Sequence, residues 1–148
     1  MFRFSLQAVL RFRQNLERRE RLRLEAATRD LAKARRQYEE AELDRANAAA
    51  QLQSKLRQGM TAEEVRFELA CDRARRRCIA ACLEQVGKMQ ALRQQQLEAY
   101  QKARQRREIL ENLRQRQLAA YSLIQTRREQ QQMDDRFLAA HSRLMAEP

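Results

Sequence analysis

The stretch Gln58-Gly59-Met60-Thr61-Ala62-Glu63-Glu64 constrains this chain more than any other, because it is the clearest punctuation in a sequence nearly free of helix breakers. Glycine is the usual residue just past a helix C-terminus, where a left-handed backbone costs it little. Thr61 followed by Glu64 is a capping box, in which a hydroxyl and a carboxylate satisfy the first amides of a new helix. One helix is therefore expected to stop near Gln58 and another to start near Ala62. A connection this short turns the chain back and makes the two helices antiparallel.

The rest of the sequence agrees with long helices. Its 148 residues include two glycines, one proline and no tryptophan, 34% are charged, and Ala, Leu, Glu, Gln and Arg dominate, the profile of a coiled coil. With only 5% aromatic residues, a thick globular core is excluded. The mean hydropathy of −0.87 would suit a disordered chain, but strong helix formers fill nearly every position and oppose that reading.

Apolar spacing then defines the arms. Before the break a heptad seam runs through Leu24, Ala27, Leu31, Ala34, Tyr38, Ala41, Arg45, Ala48 and Leu52, with Leu6, Val9 or Leu10, and Leu16 carrying a stripe in a shifted register nearer the start. After it come Val65, Leu69, Ile79, Cys82, Val86 and Met89, then Leu97, Tyr100, Leu110, Leu113, Ala120 and Ile124, with Phe137, Leu138 and Leu144 beyond. The stripe slips at Gly87 and again around Arg104 to Arg107, which predicts bends or stutters there. The predicted fold is all-α, a long two-helix antiparallel coiled-coil hairpin with a short turn near Gly59. It forms a single domain over 1–148, with arm 1 at about 3–58, the turn at about 59–61 and arm 2 at about 62–145. At 1.5 Å per residue the first arm is about 80 Å long. Pairing from the turn places Phe2 to Phe4 near residues 116 to 120, and leaves the segment from about Tyr121 to Met145 without an intramolecular partner.

Side-chain pairs such as Glu17 with Arg21 and Glu25 with Arg29 support the helices. A seam rich in alanine and holding Arg45 and Arg93 is poor in buried area, so the hairpin is expected to be only moderately stable.

Reactive chemistry finds no foothold. There is one histidine, His141, read as a polar residue near a fraying helix end. No glycine-rich phosphate loop or Ser/His/Asp grouping occurs, so no catalytic residue, cofactor or small-molecule substrate is predicted. Cys78 and Cys82 share a helical face with Cys71 nearby, but a closed zinc site needs a fourth ligand that this stretch does not supply; they read as small seam residues, and no metal is predicted. Three cysteines offer no disulfide framework and suit a reducing compartment. Arg3, Arg11 and Arg13 interrupt any signal-peptide core, and no stretch is long and apolar enough to span a membrane, so a cytoplasmic location is expected.

Charge is the informative property. Lys and Arg total 31 against 20 Asp and Glu, a net charge of +11. Arg11, Arg13, Arg18, Arg19, Arg21 and Arg23 crowd the start of the first arm. Lys102, Arg104, Arg106, Arg107, Arg114 and Arg116 crowd the part of the second arm that the hairpin pairs with it. A concentrated patch of one sign points to a binding surface for an acidic partner. Nucleic acid is disfavoured, because no basic region adjoins a parallel zipper and no aromatics interleave with the arginines.

The opening Phe2-Arg3-Phe4-Ser5-Leu6-Gln7-Ala8-Val9-Leu10-Arg11-Phe12-Arg13 resembles the amino-terminal pattern of the flagellar export protein FliJ family. Glu108-Ile109-Leu110-Glu111-Asn112-Leu113-Arg114 and Arg127-Arg128-Glu129-Gln130-Gln131-Gln132-Met133-Asp134-Asp135 are similar to its carboxy-terminal stretch. The likeness covers essentially the whole chain. It implies a non-catalytic, cytoplasmic component of the flagellar type III export apparatus, peripheral at the inner membrane, similar to the central stalk of rotary ATPases. The implied partners are the hexameric export ATPase, the membrane export gate and export chaperones. The implied ATPase-binding set is Phe2, Phe4, Leu6, Leu10, Arg11, Arg13, Arg18, Arg19, Arg21 and Arg23 with Leu110, Leu113 and Arg114, the apolar members entering the channel of the ring. The arginine- and cysteine-rich stretch Cys71 to Cys82 departs from the family pattern and matches no gate-binding position. A basic nucleic-acid-binding coil and a general export chaperone are the alternatives.

Overall fold

The computed structural model describes residues 2–146, with side chains described for 2–139 and for His141. It contains two long helices, α1 (Gln7–Gln58) and α2 (Ala62–Ala146), packed against each other with no strand among the described residues. The turn forms as its residues dictate. Gly59 takes φ +98°, and its N–H donates to the Leu56 carbonyl at 3.3 Å, closing α1. The Thr61 N–H donates to Glu64 Oε2 at 2.8 Å while the Glu64 N–H donates to Thr61 Oγ1 at 3.3 Å, so the capping box satisfies amides at the start of α2 from both sides.

The chain divides into two compact units, Glu17–Lys102 and Met1–Leu16 with Ala103–Pro148. In the first, which carries the turn, all nine α1 seam residues from Leu24 to Leu52 are buried or half-buried, and Ala27, Leu31 and Ala34 are its buried members. The facing stripe of α2 is Val65, Glu68, Asp72, Arg75, Ile79, Cys82, Val86, Met89, Arg93, Gln96 and Tyr100, each at least half-buried and spaced three and four apart. This corrects the sequence reading twice. Leu69 is exposed, because the stripe passes through Glu68 instead. Gly87 produces no slip either: α2 is unbroken there, and the spacing continues from Val86 to Met89 to Arg93.

Charged residues hold seam positions because the opposite helix answers them. Lys55 Nζ lies 2.8 Å from Glu68 Oε1, Arg45 Nε 2.9 Å from Asp72 Oδ1, and Arg75 Nε 3.5 Å from Asp44 Oδ2. Partners grow farther apart in sequence with distance from the turn, as antiparallel pairing requires. Gln96 is less well served, since its buried Oε1 has no hydrogen-bond donor. A buried acceptor without a donor weakens packing locally.

In the second unit, Phe4 and Leu10 are the buried apolar residues, Leu10 completely. The Gln7 N–H donates to the Phe4 carbonyl at 3.2 Å as α1 begins. Of the shifted stripe expected at Leu6, Val9 or Leu10, and Leu16, Leu10 and half-buried Leu16 hold, with Arg13 between them, whereas Leu6 and Val9 are 36% and 42% exposed. On α2, Ala103, Arg107, Leu110, Arg114 and Tyr121 are half-buried at heptad-compatible spacing. No stutter occurs around Arg104 to Arg107, because Arg107 itself occupies the stripe. The Phe2 and Tyr121 rings meet with centroids 5.7 Å apart. Leu113, Ala120, Ile124, Phe137 and Leu138 are exposed, contrary to their place in the predicted stripe, and the Leu144 and Met145 side chains lie outside the described residues.

Candidate functional site

The thirteen residues of the predicted ATPase-binding set fall into both units. Phe2, Phe4, Leu6, Leu10, Arg11, Arg13, Leu110, Leu113 and Arg114 share the unit with the chain start, whereas Arg18, Arg19, Arg21 and Arg23 belong to the turn-bearing unit.

Burial sorts the first group by role. Phe4 and Leu10, expected from the sequence to face the partner, place their apolar surface inside the helix pair. Up to Leu118, the exposed large apolar side chains of this unit are Leu6 just before α1, Val9 and Phe12 on α1, and Ile109, Leu113 and Leu118 on α2, with Phe12 58% and Ile109 66% exposed. Sequence reasoning passed over Phe12 and Ile109. The signal was available: Phe12 lies two residues beyond seam residue Leu10 and Ile109 one before Leu110, so neither fits the three-and-four spacing.

Among the cations, Arg11, Arg106 and Arg116 are exposed. Arg104 Nε lies 2.7 Å from Glu108 Oε1, with Arg107 Nη2 3.7 Å from the same oxygen, and Arg114 Nη1 is 3.4 Å from Glu111 Oε1. The Arg104 hydrogen bond, with both neighbouring guanidinium charges adding to it, holds the Glu108 carboxyl below its ordinary range against some desolvation.

In the turn-bearing unit the arginine run also carries its own acids. Arg23 Nη1 is 2.9 Å and Arg19 Nε 3.9 Å from Glu20 Oε1, and Arg21 Nε is 3.8 Å from Glu25 Oε1. Glu25 thus pairs with the arginine four residues before it, where Arg29 was expected. Arg18, Arg19, Arg21 and Arg23 are exposed. The arginine side chains of these pairs are more than half exposed, although Glu20 is mostly covered, so the guanidinium groups stay accessible to a partner.

The cysteines lie on one side of α2, with Cys71 and Cys82 half-buried and Cys78 exposed. Burial, and then the neighbouring Cys78, push the Cys82 thiol above its ordinary value, which disfavours the thiolate that a metal would need. Among the described residues no group of three or more His, Cys, Asp or Glu is placed to hold a metal ion. His141 is exposed, its ring parallel to that of Phe137 with centroids 6.3 Å apart. No helix among the described residues is long and apolar enough to cross a membrane.

At the turn, Lys55, Gln58, Met60, Glu63, Phe67 and Glu68 line an open groove of about 500 Å³. Phe67 is largely exposed at its edge. What the geometry supplies throughout is surface for macromolecular contact: exposed apolar side chains beside arginines on a paired-helix scaffold.

No curated protein and no solved structure matches the chain. The family model described as flagellar FliJ protein matches residues 2–145. A match over essentially the whole length, on a chain that folds as two long paired helices, shows that it belongs to the flagellar FliJ protein family and so to the components of the flagellar export apparatus.

Proposed function

We propose that the chain is a non-catalytic stalk of the export apparatus, binding the hexameric export ATPase and coupling it to the membrane export gate. The observation that carries this reading is that, in the unit with the chain start, the apolar side chains Leu6, Phe12, Ile109 and Leu113 and the arginines Arg11, Arg106 and Arg116 all stay exposed. Exposed apolar side chains and arginines in one unit suit a channel wall that carries carboxylates: the arginines steer the encounter and the apolar groups hold the complex once water is displaced. Phe4 and Leu10 keep that surface in shape from within. Arg18, Arg19, Arg21 and Arg23 add long-range attraction, and the turn around Gly59 is left for the gate and for export chaperones. The protein acts in the cytoplasm, at the membrane through its partners.

The test is direct binding to the purified ATPase ring. Saturable binding that weakens when Leu6 and Phe12 are changed together to alanine supports the stalk role. A ring that does not bind the chain, or binds that variant equally well, refutes it. Retention on DNA at physiological salt with a steep salt slope would instead favour a nucleic-acid-binding coil.

A further inference from the structure

Beyond Tyr121, α2 continues as helix with its apolar side chains in solvent: Ile124 is 49% exposed and Leu138 62%. Ile124, Gln131 and Leu138 are spaced seven apart and so fall on one stripe of the helix. On either side of Gln131 the charges are segregated. Arg127 and Arg128 precede it, Asp134 and Asp135 follow it, and all four side chains are exposed.

We infer that this stretch pairs antiparallel with the same stretch of a second copy of the chain, about a twofold axis at Gln131. Such an axis brings residues equally far from Gln131 to the same level. Arg127 then meets Asp135 of the other copy, Arg128 meets Asp134, and Ile124 lies level with Leu138. Because a twofold interface repeats every contact, the match occurs on both sides of the axis. Parallel pairing fails on the same residues, since it sets Arg127 against Arg127 and Asp134 against Asp134.

Charge balance separates this segment from the rest of the molecule. From Ile124 to Leu138 three arginines, Arg127, Arg128 and Arg136, are matched by three acids, Glu129, Asp134 and Asp135, in a chain of net charge +11. Two copies repel each other over most of their length, but here they are neutral and self-complementary. At 1.5 Å per residue the segment spans only about 21 Å. Its pairing is accordingly weak, reversible and sensitive to salt. The inference does not depend on the export role, so either can fail alone.

The experiment uses the full chain in sedimentation equilibrium over rising concentration, with circular dichroism to check that each variant stays helical. One variant carries Arg127→Asp and Arg128→Asp, the other Asp134→Arg and Asp135→Arg. Each alone should dimerise at least tenfold more weakly than the unmodified chain, whereas an equimolar mixture should recover a one-to-one dimer. Orientation is read separately in chains whose native cysteines are serine. Oxidation should link Gln131→Cys chains to one another and leave Leu138→Cys chains unlinked. An unmodified chain that remains monomeric up to about 1 mM, self-association untouched by the charge exchanges, or efficient linkage at position 138 would each overturn the inference. So would a monomeric chain whose stretch becomes protected only when the ATPase is added, since the face would then belong to that partner.

Discussion

The rings of Phe2 and Tyr121 meet at 5.7 Å with their planes tilted by 50°. This contact fastens the start of the chain to α2 just before the stretch in which the apolar side chains of α2 turn out to solvent. The same unit holds the only fully buried large side chain among those described, Leu10. The energetics of this unit should therefore depend on very few residues.

Leu10→Ala should lower stability by about 2 to 5 kcal/mol, the range for removing a completely buried leucine. Leu6→Ala, where the side chain keeps 36% of its surface in solvent, should cost less, about 1 kcal/mol. Denaturant unfolding followed by circular dichroism measures both. Equal effects would show that burial does not separate them.

The two glycines should respond with opposite signs. At Gly59 a methyl group would meet no atom, but φ is +98°, so Gly59→Ala should cost about 1 to 2 kcal/mol through backbone strain alone. Gly87 also has open space, inside an unbroken helix. Gly87→Ala should stabilise by up to about 1 kcal/mol. Thermal melts of the two variants would show the contrast.

Acid should loosen the turn-bearing unit. The Glu64 carboxyl lies below its ordinary 4.5 because the Thr61 N–H and hydroxyl donate to it, and Asp72 lies below its ordinary 3.8 chiefly because Arg45 donates to it. Both groups favour the fold in their ionised form. Their contribution is complete above those ordinary values and is lost as pH falls through the lower folded-state values. Helicity measured from pH 6 downward should decline in that acid window, and Asp72→Asn should make the decline shallower.

Gln96→Leu should raise stability by about 1 kcal/mol, because it removes a buried oxygen that has no donor and adds apolar contact at a seam position. Differential scanning calorimetry would detect the rise. A lower melting temperature would mean that the amide oxygen is satisfied in solution.

For the ATPase, charge and apolar contacts should separate in the kinetics. Replacing Arg18, Arg19, Arg21 and Arg23 with glutamate should slow association by tenfold or more at low salt and flatten its salt dependence. Leu6→Ala with Phe12→Ala should act mainly on dissociation, with each side chain that becomes fully buried contributing on the order of 1.5 to 3 kcal/mol. Met60→Ala, at the turn, should leave ring binding unchanged. Surface plasmon resonance on immobilised rings distinguishes these outcomes.

The fold was legible where local chemistry decides it. Gly59, Thr61 and Glu64 carry the helix ends in their own side chains and backbone, and the α1 seam from Leu24 to Leu52 follows from spacing alone. The α2 seam was harder because its positions near the turn hold Glu68, Asp72 and Arg75. A search for apolar residues steps around such positions and lands on Leu69. Only the facing helix, through Lys55, Arg45 and Asp44, shows why charge is tolerated there. The same gap hid the burial of Phe4 and Leu10. A phenylalanine or leucine near a chain end reads the same in sequence whether it faces a partner or the neighbouring arm.

The cross-helix pair of Arg45 and Asp72 also fixes the alignment of the two arms against each other. Alanine-rich helices can slide by a heptad and still bring small apolar groups together. Sliding α2 by one heptad in either direction would set Arg45 opposite Ile79 or Val65, and Asp72 opposite Leu52 or Tyr38. Each such slip parts Arg45 from Asp72 and sets the guanidinium against an apolar side chain, while Asp72 meets Leu52 in one direction and only the Tyr38 hydroxyl in the other. The pair thus works like a key cut for a single position, favouring one alignment of a smooth and otherwise repetitive zipper.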